Sequence, residues 1–363
     1  ERMQKTAIVC VTNDLSTDNR VHKTCMTLQK CGYWVIEYGR LLPDSLPLER
    51  SYFTLRKKLL FRKGPLFYAE YNIRLFLYLM TANVDLIFAN DMDTLPAAYF
   101  AAKLRKKRLI FDTHELFSEV PELVDRPLVR FFWKKTEDYI LPKLSDTLTV
   151  CQSIAMHYNH AYKTDMKVVR NAPNYNPQPD TKKILFPGKK IIIYQGALNV
   201  GRGLEWMLDA MPLVDNAILV IIGDGDIKQK LELQAKTLKI EDRTQFVGKI
   251  NAEKLHEYTS CADIGLCLLE NKGLNYFYAL PNRIFDYIHA GVPVLATRFP
   301  EIAAIVETYN TGTLIDHYEP DYLAATINNM LANPMNTDHF EVVAKELCWE
   351  TEEEVLMEII KKD

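Results

Sequence analysis

The stretch ENKGLNYFYALPNRIFDYIHAG, Glu270 to Gly291, decides the fold. An apolar run of strand length, Ala262 to Leu269, precedes it, and a second one, Val292 to Thr297, follows. Pro281 near a first helical position and Gly291 just past a last one bound a helix. Pro281, Ile284, Phe285 and Ile288 recur at i, i+3, i+4 and i+7, which predicts one core-facing side. Asn282, Arg283, Asp286 and His289 are expected on the other. This is the strand–loop–helix–strand crossover of a parallel sheet.

The loop of that crossover, Glu270 to Leu280, exceeds the usual length of about 2–6 residues and carries Asn275, Tyr276, Phe277 and Tyr278. It must lie at the carboxyl edge of the sheet, where open α/β sheets bind ligands. The helix that follows turns free N–H groups and partial positive charge to that edge. Arg283 adds a full charge able to grip phosphate with two bonds. Asp286, one turn on, is placed to accept bonds from paired sugar hydroxyls. Phosphate at the cap with a diol one turn down has the shape of a nucleotide. The same helix reads equally as an ordinary crossover with a solvated polar face.

Outward from this unit the pattern repeats. Strand-like runs stand at Ala7–Thr12, Trp34–Tyr38, Leu86–Ala89, Leu109–Asp112 and Thr147–Val150. A Pro/Asn-rich segment from Asn171 to Asp180 interrupts them. A second series follows at Ile191–Tyr194, Ile218–Ile222, Phe246–Gly248, Ile264–Leu269, Val292–Ala296 and Thr313–Ile315. Strand alternating with helix in both halves predicts two doubly wound α/β domains. The expected division is 1–172, a linker at 173–189, 190–339, and a charged amphipathic helix at 340–363 containing Trp349. A length of 363 residues suits two domains of roughly 150–200 residues.

Composition removes several classes of function. A net charge of −3 gives no general attraction to nucleic acid. Seven cysteines without a C-x-x-C pair argue for free thiols in a reducing compartment. No apolar run approaches the roughly 18 residues that span a bilayer, and the expected location is cytoplasmic. The turn after the first strand, Asn13 to Arg20, has no glycine, so the dinucleotide fingerprint of dehydrogenases is missing. No H-E-x-x-H spacing points to a protein-held zinc ion.

Other features carry chemistry. Asp18 is a candidate cap for the first helix, with Val21, Cys25 and Leu28 inward, and Arg20 in its first turn faces the sheet edge. Residues 51–69 hold Arg56, Lys57, Lys58, Arg62 and Lys63 among apolar side chains and no acid. That mixture suits an anionic membrane face or a polyanionic acceptor, and reads also as a solvated surface. Lys103 to Arg108 form a second basic run. Turns at the carboxyl edge of the first sheet carry Asn90, Asp91, Asp93 and Thr94, then Asp112, Thr113, His114 and Glu115. A histidine there, beside carboxylates, is placed for catalysis or polar substrate contacts. In the second half, glycine-spaced turns recur: Gly196 to Gly203 with Arg202 inside, Gly223-Asp224-Gly225, and Gly248-Lys249. Such turns let backbone N–H groups approach an anion, and on one edge they converge on one crevice.

In this order and spacing the motifs resemble the GT-B-fold glycosyltransferases, specifically the large retaining group called family 4, over nearly the whole chain. In the second half the resemblance rests on Gly196–Gly203, Ile222–Gly225, Phe246–Gly248, Asp286, Ala290–Val294 and Gly312. In the first it rests on Asp18–Val21, Asn90-Asp91, Asp112–Glu115 and Asn171. The resemblance implies two Rossmann-like domains facing a cleft, with the last helix crossing back to the first domain. It implies a nucleotide-diphosphate sugar donor on the second domain and a glycan or lipid-linked acceptor on the first. Arg202 would hold the diphosphate, Asp286 the ribose, and the backbone at Lys249 and Ile250 the base, within a donor site that also takes in Gly196, Gly223, Asn282 and Arg283. His114 would lie at the reacting sugar, and Arg20, Asn90 and Asp91 near acceptor or phosphates. No protein nucleophile, cofactor or metal is implied, because front-side attack lets the departing diphosphate take the acceptor proton. Two positions depart from the family pattern. The first acid of its E-x7-E pair is Tyr278 here, with Glu270 a candidate substitute. The second diphosphate arginine is Ala197, with Arg283 a candidate substitute. A sugar-nucleotide epimerase of the same fold and a non-catalytic partner subunit are the alternatives.

Overall fold

The computed structural model describes residues 4–362 except 17, 44, 121, 122, 124, 125 and 178–184, and gives only the backbone of 252 and 253. Thr17 of the first turn and residues 178–184 of the expected linker therefore lie outside the described residues. The chain forms two compact units, residues 1–171 with 352–363 and residues 172–351.

The first unit runs β1 (Thr6–Asp14), α1 (Asn19–Lys30), β2 (Trp34–Arg40), β3 (Phe53–Lys57), α2 (Pro65–Thr81), β4 (Leu86–Asn90), α3 (Leu95–Arg105), β5 (Arg108–Thr113), α4 (Pro127–Ile140), β6 (Asp146–Thr149), α5 (Gln152–Tyr162) and β7 (Lys167–Val168). Among the described residues its sheet has the order β3-β2-β1-β4-β5-β6-β7, with every pairing parallel. The order reverses at β1, so the switch point lies between β1 and β4, and the turns after β1, β4 and β5 meet there. Asp18 caps α1 by accepting from the Val21 N–H at 3.1 Å, and Val21, Cys25 and Leu28 are buried.

The second unit runs β8 (Lys190–Gln195), α6 (Leu204–Ala210), β9 (Ala217–Ile222), α7 (Lys228–Thr237), β10 (Thr244–Gly248), α8 (Ala252–Thr259), β11 (Ile264–Cys267), α9 (Leu274–Phe277), α10 (Arg283–His289), β12 (Val294–Thr297), α11 (Pro300–Tyr309), β13 (Gly312–Ile315), α12 (Pro320–Ala332) and α13 (Phe340–Glu346). Its strand order, β10-β9-β8-β11-β12-β13, is the same doubly wound pattern. Ile191 and Ile193 enter one core cluster while Ile192 and Tyr194 enter the other, and β9 alternates likewise. Burial on both faces is why these strands read as unbroken apolar runs.

Several elements differ from the sequence reading. β3 is an edge strand of half-buried residues whose cations break any apolar run, and β7 is only two residues long. The basic stretch at 51–69 is therefore no single surface. It divides into β3, a turn and the start of α2, with Leu59 and Phe67 buried and Arg56 paired to Asp14 at 3.0 Å. In the second basic run, Arg105 donates to the carbonyls of Leu79 and Ala82, and Arg108 pairs with Asp146. The tail is two helices, because Leu347 leaves helical geometry at φ −96° and ψ 56° and α14 (Trp349–Lys361) starts afresh. From Glu352 onward that helix belongs to the first unit: Glu353 accepts from Thr27 and Lys30, and Arg108 donates to the carbonyls of Ile359 and Ile360. Among the described residues no helix is long and apolar enough to cross a membrane, and no disulfide joins the cysteines.

Candidate functional site

In the second unit the turns after β8, β9 and β10 are stitched together by backbone. The Gly196 N–H donates to Ile222, Leu198 to Asp224, and Gly223 to Gly248, at 2.9–3.0 Å. The approach is close: a Cβ on Gly223 would lie 1.9 Å from the Gly196 carbonyl oxygen. α10 seats on the same edge because Tyr287 packs on the bare face of Gly265 and its hydroxyl donates to Leu266 at 3.1 Å.

Asp286 projects from α10 toward the end of β8. Its carboxylate accepts from Gln195 Nε2 at 2.9 Å, while Gln195 Oε1 accepts from the Thr259 hydroxyl at 2.7 Å. Thr259 and Gln195 are buried, so this relay fixes the carboxylate from behind. On the same side lies a cavity of about 200 Å³ lined by Asn174, Gln195, His256, Thr259, Asp286 and His289, among others. Burial lowers the pKa of both His256 and His289, keeping the walls beside Asp286 neutral at physiological pH. The segment entering this wall is pinned: Trp349 N–H donates to Pro173, and Glu350 accepts from Asn174 and from the Tyr175 N–H.

The expected polar side of α10 is not solvated. Arg283 and His289 are buried. Arg283 Nη1 donates to the Gln195 carbonyl at 3.1 Å, and its guanidinium lies 4.7 Å from the Tyr194 ring centroid, directly behind Gly196. Burial disfavours its charge, yet Tyr194 and Cys267 hold its pKa above the ordinary value. Arg283 thus backs the Gly196 turn with positive charge, whereas the sequence reading had it gripping phosphate from an open face. His289 instead bonds the Leu347 carbonyl at 2.8 Å. Arg202 stacks 4.9 Å from the Tyr276 centroid, and Tyr276 donates to Val200, so the 270–280 loop braces the Gly196–Gly203 turn. Glu270 pairs with Lys272 at 3.1 Å. Asn282 and Lys249 are exposed and Ile250 is half-buried at this edge. Gln195 and Thr259 were missed, since a single polar residue ending the run KIIIYQ reads only as a strand end.

In the first unit, buried Arg20 and Asp112 and half-buried His114 and Asp91 form one electrostatic cluster. Arg20 donates Nε and Nη2 to the two Asp112 oxygens at 2.9 Å each and Nη1 to the Val169 carbonyl at 2.7 Å. Expected near acceptor or phosphates, it commits its guanidinium to the domain interior, because a fork fits one carboxylate with two parallel bonds. His114 lies between carboxylates, Nδ1 3.1 Å from Asp91 and Nε2 3.4 Å from Asp112. Its backbone N–H also donates to Asp91, which holds φ +60° to make that turn. Asn90 donates to the Cys10 carbonyl while its Oδ1 is buried without a partner in the structure. Behind the cluster Asp93 accepts from Thr12, and burial followed by repulsion from Asp91 pushes its pKa up to about 7.

The charges set a pH dependence. Burial disfavours the imidazolium of His114, but Asp91 and Asp112 outweigh it and hold the pKa well above the ordinary value. Burial would raise Asp112, but Arg20 and His114 hold it far below the carboxylate range. With its folded pKa raised, His114 contributes stability that is complete below the unfolded value of about 6.5 and lost as pH rises through the folded one. The melting-temperature gap between the protein and its His114→Gln variant should therefore shrink steadily from about pH 6.5 upward. A gap constant across that range would contradict the ion-paired imidazolium. Among the described residues no group of three or more His, Cys, Asp or Glu is placed to hold a metal ion.

Known proteins resemble this chain in both sequence and fold. Residues 178–346 match the family Glycosyl transferases group 1. An uncharacterized glycosyltransferase of Methanocaldococcus jannaschii is 26% identical over 150 residues, 40% of this chain and 36% of that one. A chitobiosyldiphosphodolichol beta-mannosyltransferase of Debaryomyces hansenii is 22% identical over 371 residues, 88% of this chain and 77% of that one. The chain spans 36% and 51% of the length of the first two curated relatives it matches. The Anabaena HepE structure in complex with UDP and glucose superposes with TM-score 0.74 at 13% identity, covering 99% of this chain and 100% of that one. Residues 178–346 thus carry the group 1 glycosyltransferase match, and the two parallel Rossmann-like sheets share the GT-B fold of the solved structures.

Proposed function

We propose that the chain is a retaining glycosyltransferase. It takes a nucleotide-diphosphate sugar on its second unit and transfers the sugar to a glycan or lipid-linked acceptor on the first, in surface polysaccharide or glycolipid synthesis. The observation that carries this reading is Asp286, fixed by the Gln195–Thr259 relay at the carboxyl end of β8, the strand at which the sheet order reverses. A carboxylate held there accepts two hydroxyls of a ribose. Arg202 neutralises the diphosphate, Arg283 adds charge from behind Gly196, and the backbone near Lys249 and Ile250 meets the base. His114 and the turn at Asn90 and Asp91 order the acceptor side. Such a reaction asks the protein to orient two substrates and stabilise a leaving diphosphate, so oriented cations suffice and no metal is needed. The Debaryomyces relative's name describes a lipid diphosphate acceptor, in keeping with exposed Leu60, Phe61 and Leu66 beside Lys58, Arg62 and Lys63. On this reading the chain works peripherally at the inner face of a membrane.

The test is a panel of sugar nucleotides with mixed membrane-lipid acceptors, with products followed by NMR. Retained anomeric configuration in an acceptor-dependent product, unchanged by a chelator, is expected. An inverted product refutes retention, and a sugar altered without acceptor identifies an epimerase instead.

A further inference from the structure

An apolar concavity of the first unit has no role in donor chemistry. It has a volume of about 380 Å³ and runs between α2 and α4, lined by Pro65, Tyr68, Asn72, Leu128, Phe132 and Trp133 among others. That volume lies within the roughly 300–1,000 Å³ of small-molecule sites. Trp133 forms the floor at 3% exposure, whereas Leu128 and Phe132 on the rim are 84% and 60% exposed. Large apolar side chains left in water around a concave apolar floor mark a binding surface. Phe131 on α4 and Leu60, Phe61 and Leu66 at the α2 end are also exposed and extend the rim.

Two observations define the occupant. The first is charge. The segment leading into α2, whose Pro65 lines the groove, carries Lys58, Arg62 and Lys63, all exposed. The nearby acids are engaged internally: Glu70 accepts from the Leu60 and Phe61 N–H groups and pairs with Arg74, and Glu119 pairs with Arg130. On α4, Lys134 and Lys135 pair with Asp138, so those charges offset one another. The groove is thus a hydrocarbon slot with a cationic margin. The second is position. Asn72, on the wall, donates to the Asp93 carbonyl and accepts from the Ala97 N–H. It ties the groove to the turn that carries Asn90 and Asp91, the turn that holds His114.

We propose that this groove binds the hydrocarbon chain of an anionic lipid acceptor, with the acceptor phosphate at the cationic margin. The proposal rests on the reading of the first unit as the acceptor unit.

The probe is geranyl diphosphate, titrated calorimetrically into the protein and into a Leu128→Ser/Phe132→Ser variant. Inorganic diphosphate is the headgroup control, and UDP and GDP are titrated into both proteins. Both substitutions are at exposed rim positions, so nucleotide binding is expected unchanged. Geranyl diphosphate should bind the parent and lose about tenfold or more in affinity with the variant, while inorganic diphosphate binds far more weakly to both. Equal affinity of parent and variant for geranyl diphosphate would overturn the groove assignment. So would inorganic diphosphate binding as tightly as geranyl diphosphate. Vesicles of phosphatidylglycerol that bind the parent and not the variant, without geranyl diphosphate binding, would make the rim a bilayer contact and equally overturn it. Absence of nucleotide binding in the parent would instead count against the transferase reading, so the two failures are distinguishable.

Discussion

Arg20→Ala should destabilise the first unit by about 3–5 kcal/mol, the usual cost of removing one partner from a buried ion pair. Arg20 and Asp112 have side chains only 4% and 1% exposed, so water cannot replace the lost guanidinium. Three of its donors are engaged, two by Asp112 and one by the Val169 carbonyl. The substitution strands a carboxylate and a carbonyl together. His114 remains near Asp112 at 3.4 Å, which limits the loss but leaves one carboxylate oxygen without its partner. Arg20→Lys should recover only part of it, since a point charge cannot make two parallel bonds. Denaturant unfolding followed by the signal of the first unit decides the matter. A cost below about 1 kcal/mol, typical of exposed pairs, would mean that the pair is solvated in solution.

Gly223→Ala should cost about 2–5 kcal/mol, combining overpacking with backbone strain, and should also weaken nucleotide binding sharply. A Cβ there would meet the Gly196 oxygen at 1.9 Å, and that oxygen is backbone, so the two turns must part. The Gly223 N–H bond to Gly248 and the Gly196 N–H bond to Ile222 would open with them. Gly248→Ala is the matched control. Gly248 has φ +81° but nothing within 4 Å of an added Cβ. It should lose only the left-handed strain of about 1–2 kcal/mol. Thermal melts and nucleotide titrations of the two variants separate strain from collision. Equal losses would show that the turns relax and that close approach does not shape the edge.

The strands, their alternation with helices and the two-unit organisation were legible in the sequence because sheets buried on both faces need continuous apolar runs. β3 was not legible, since an edge strand with Arg56 and Lys57 carries no such run. Helical spacing identified the inner face of α10 through Ile284, Phe285 and Ile288. It misjudged Arg283 and His289, because periodicity cannot foresee that a guanidinium will be covered by a carbonyl and an aromatic ring. Arg20 shows the same limit. Its position at the sheet edge was readable from the cap at Asp18, but its partner, Asp112, lies 92 residues away in sequence. The Thr259–Gln195–Asp286 relay joins three elements and has no local signature at all.

A nucleotide held against Asp286 should be directly measurable. UDP, GDP and ADP should be titrated calorimetrically into the protein and into the Asp286→Ala and Arg202→Ala variants. One nucleotide should bind, and Asp286→Ala should weaken it by about 1.5–3 kcal/mol, the value of hydrogen bonds to a charged group, or roughly ten- to a hundredfold in Kd. No binding of any nucleotide at millimolar concentration, or an Asp286→Ala variant that binds as tightly as the parent, would contradict it.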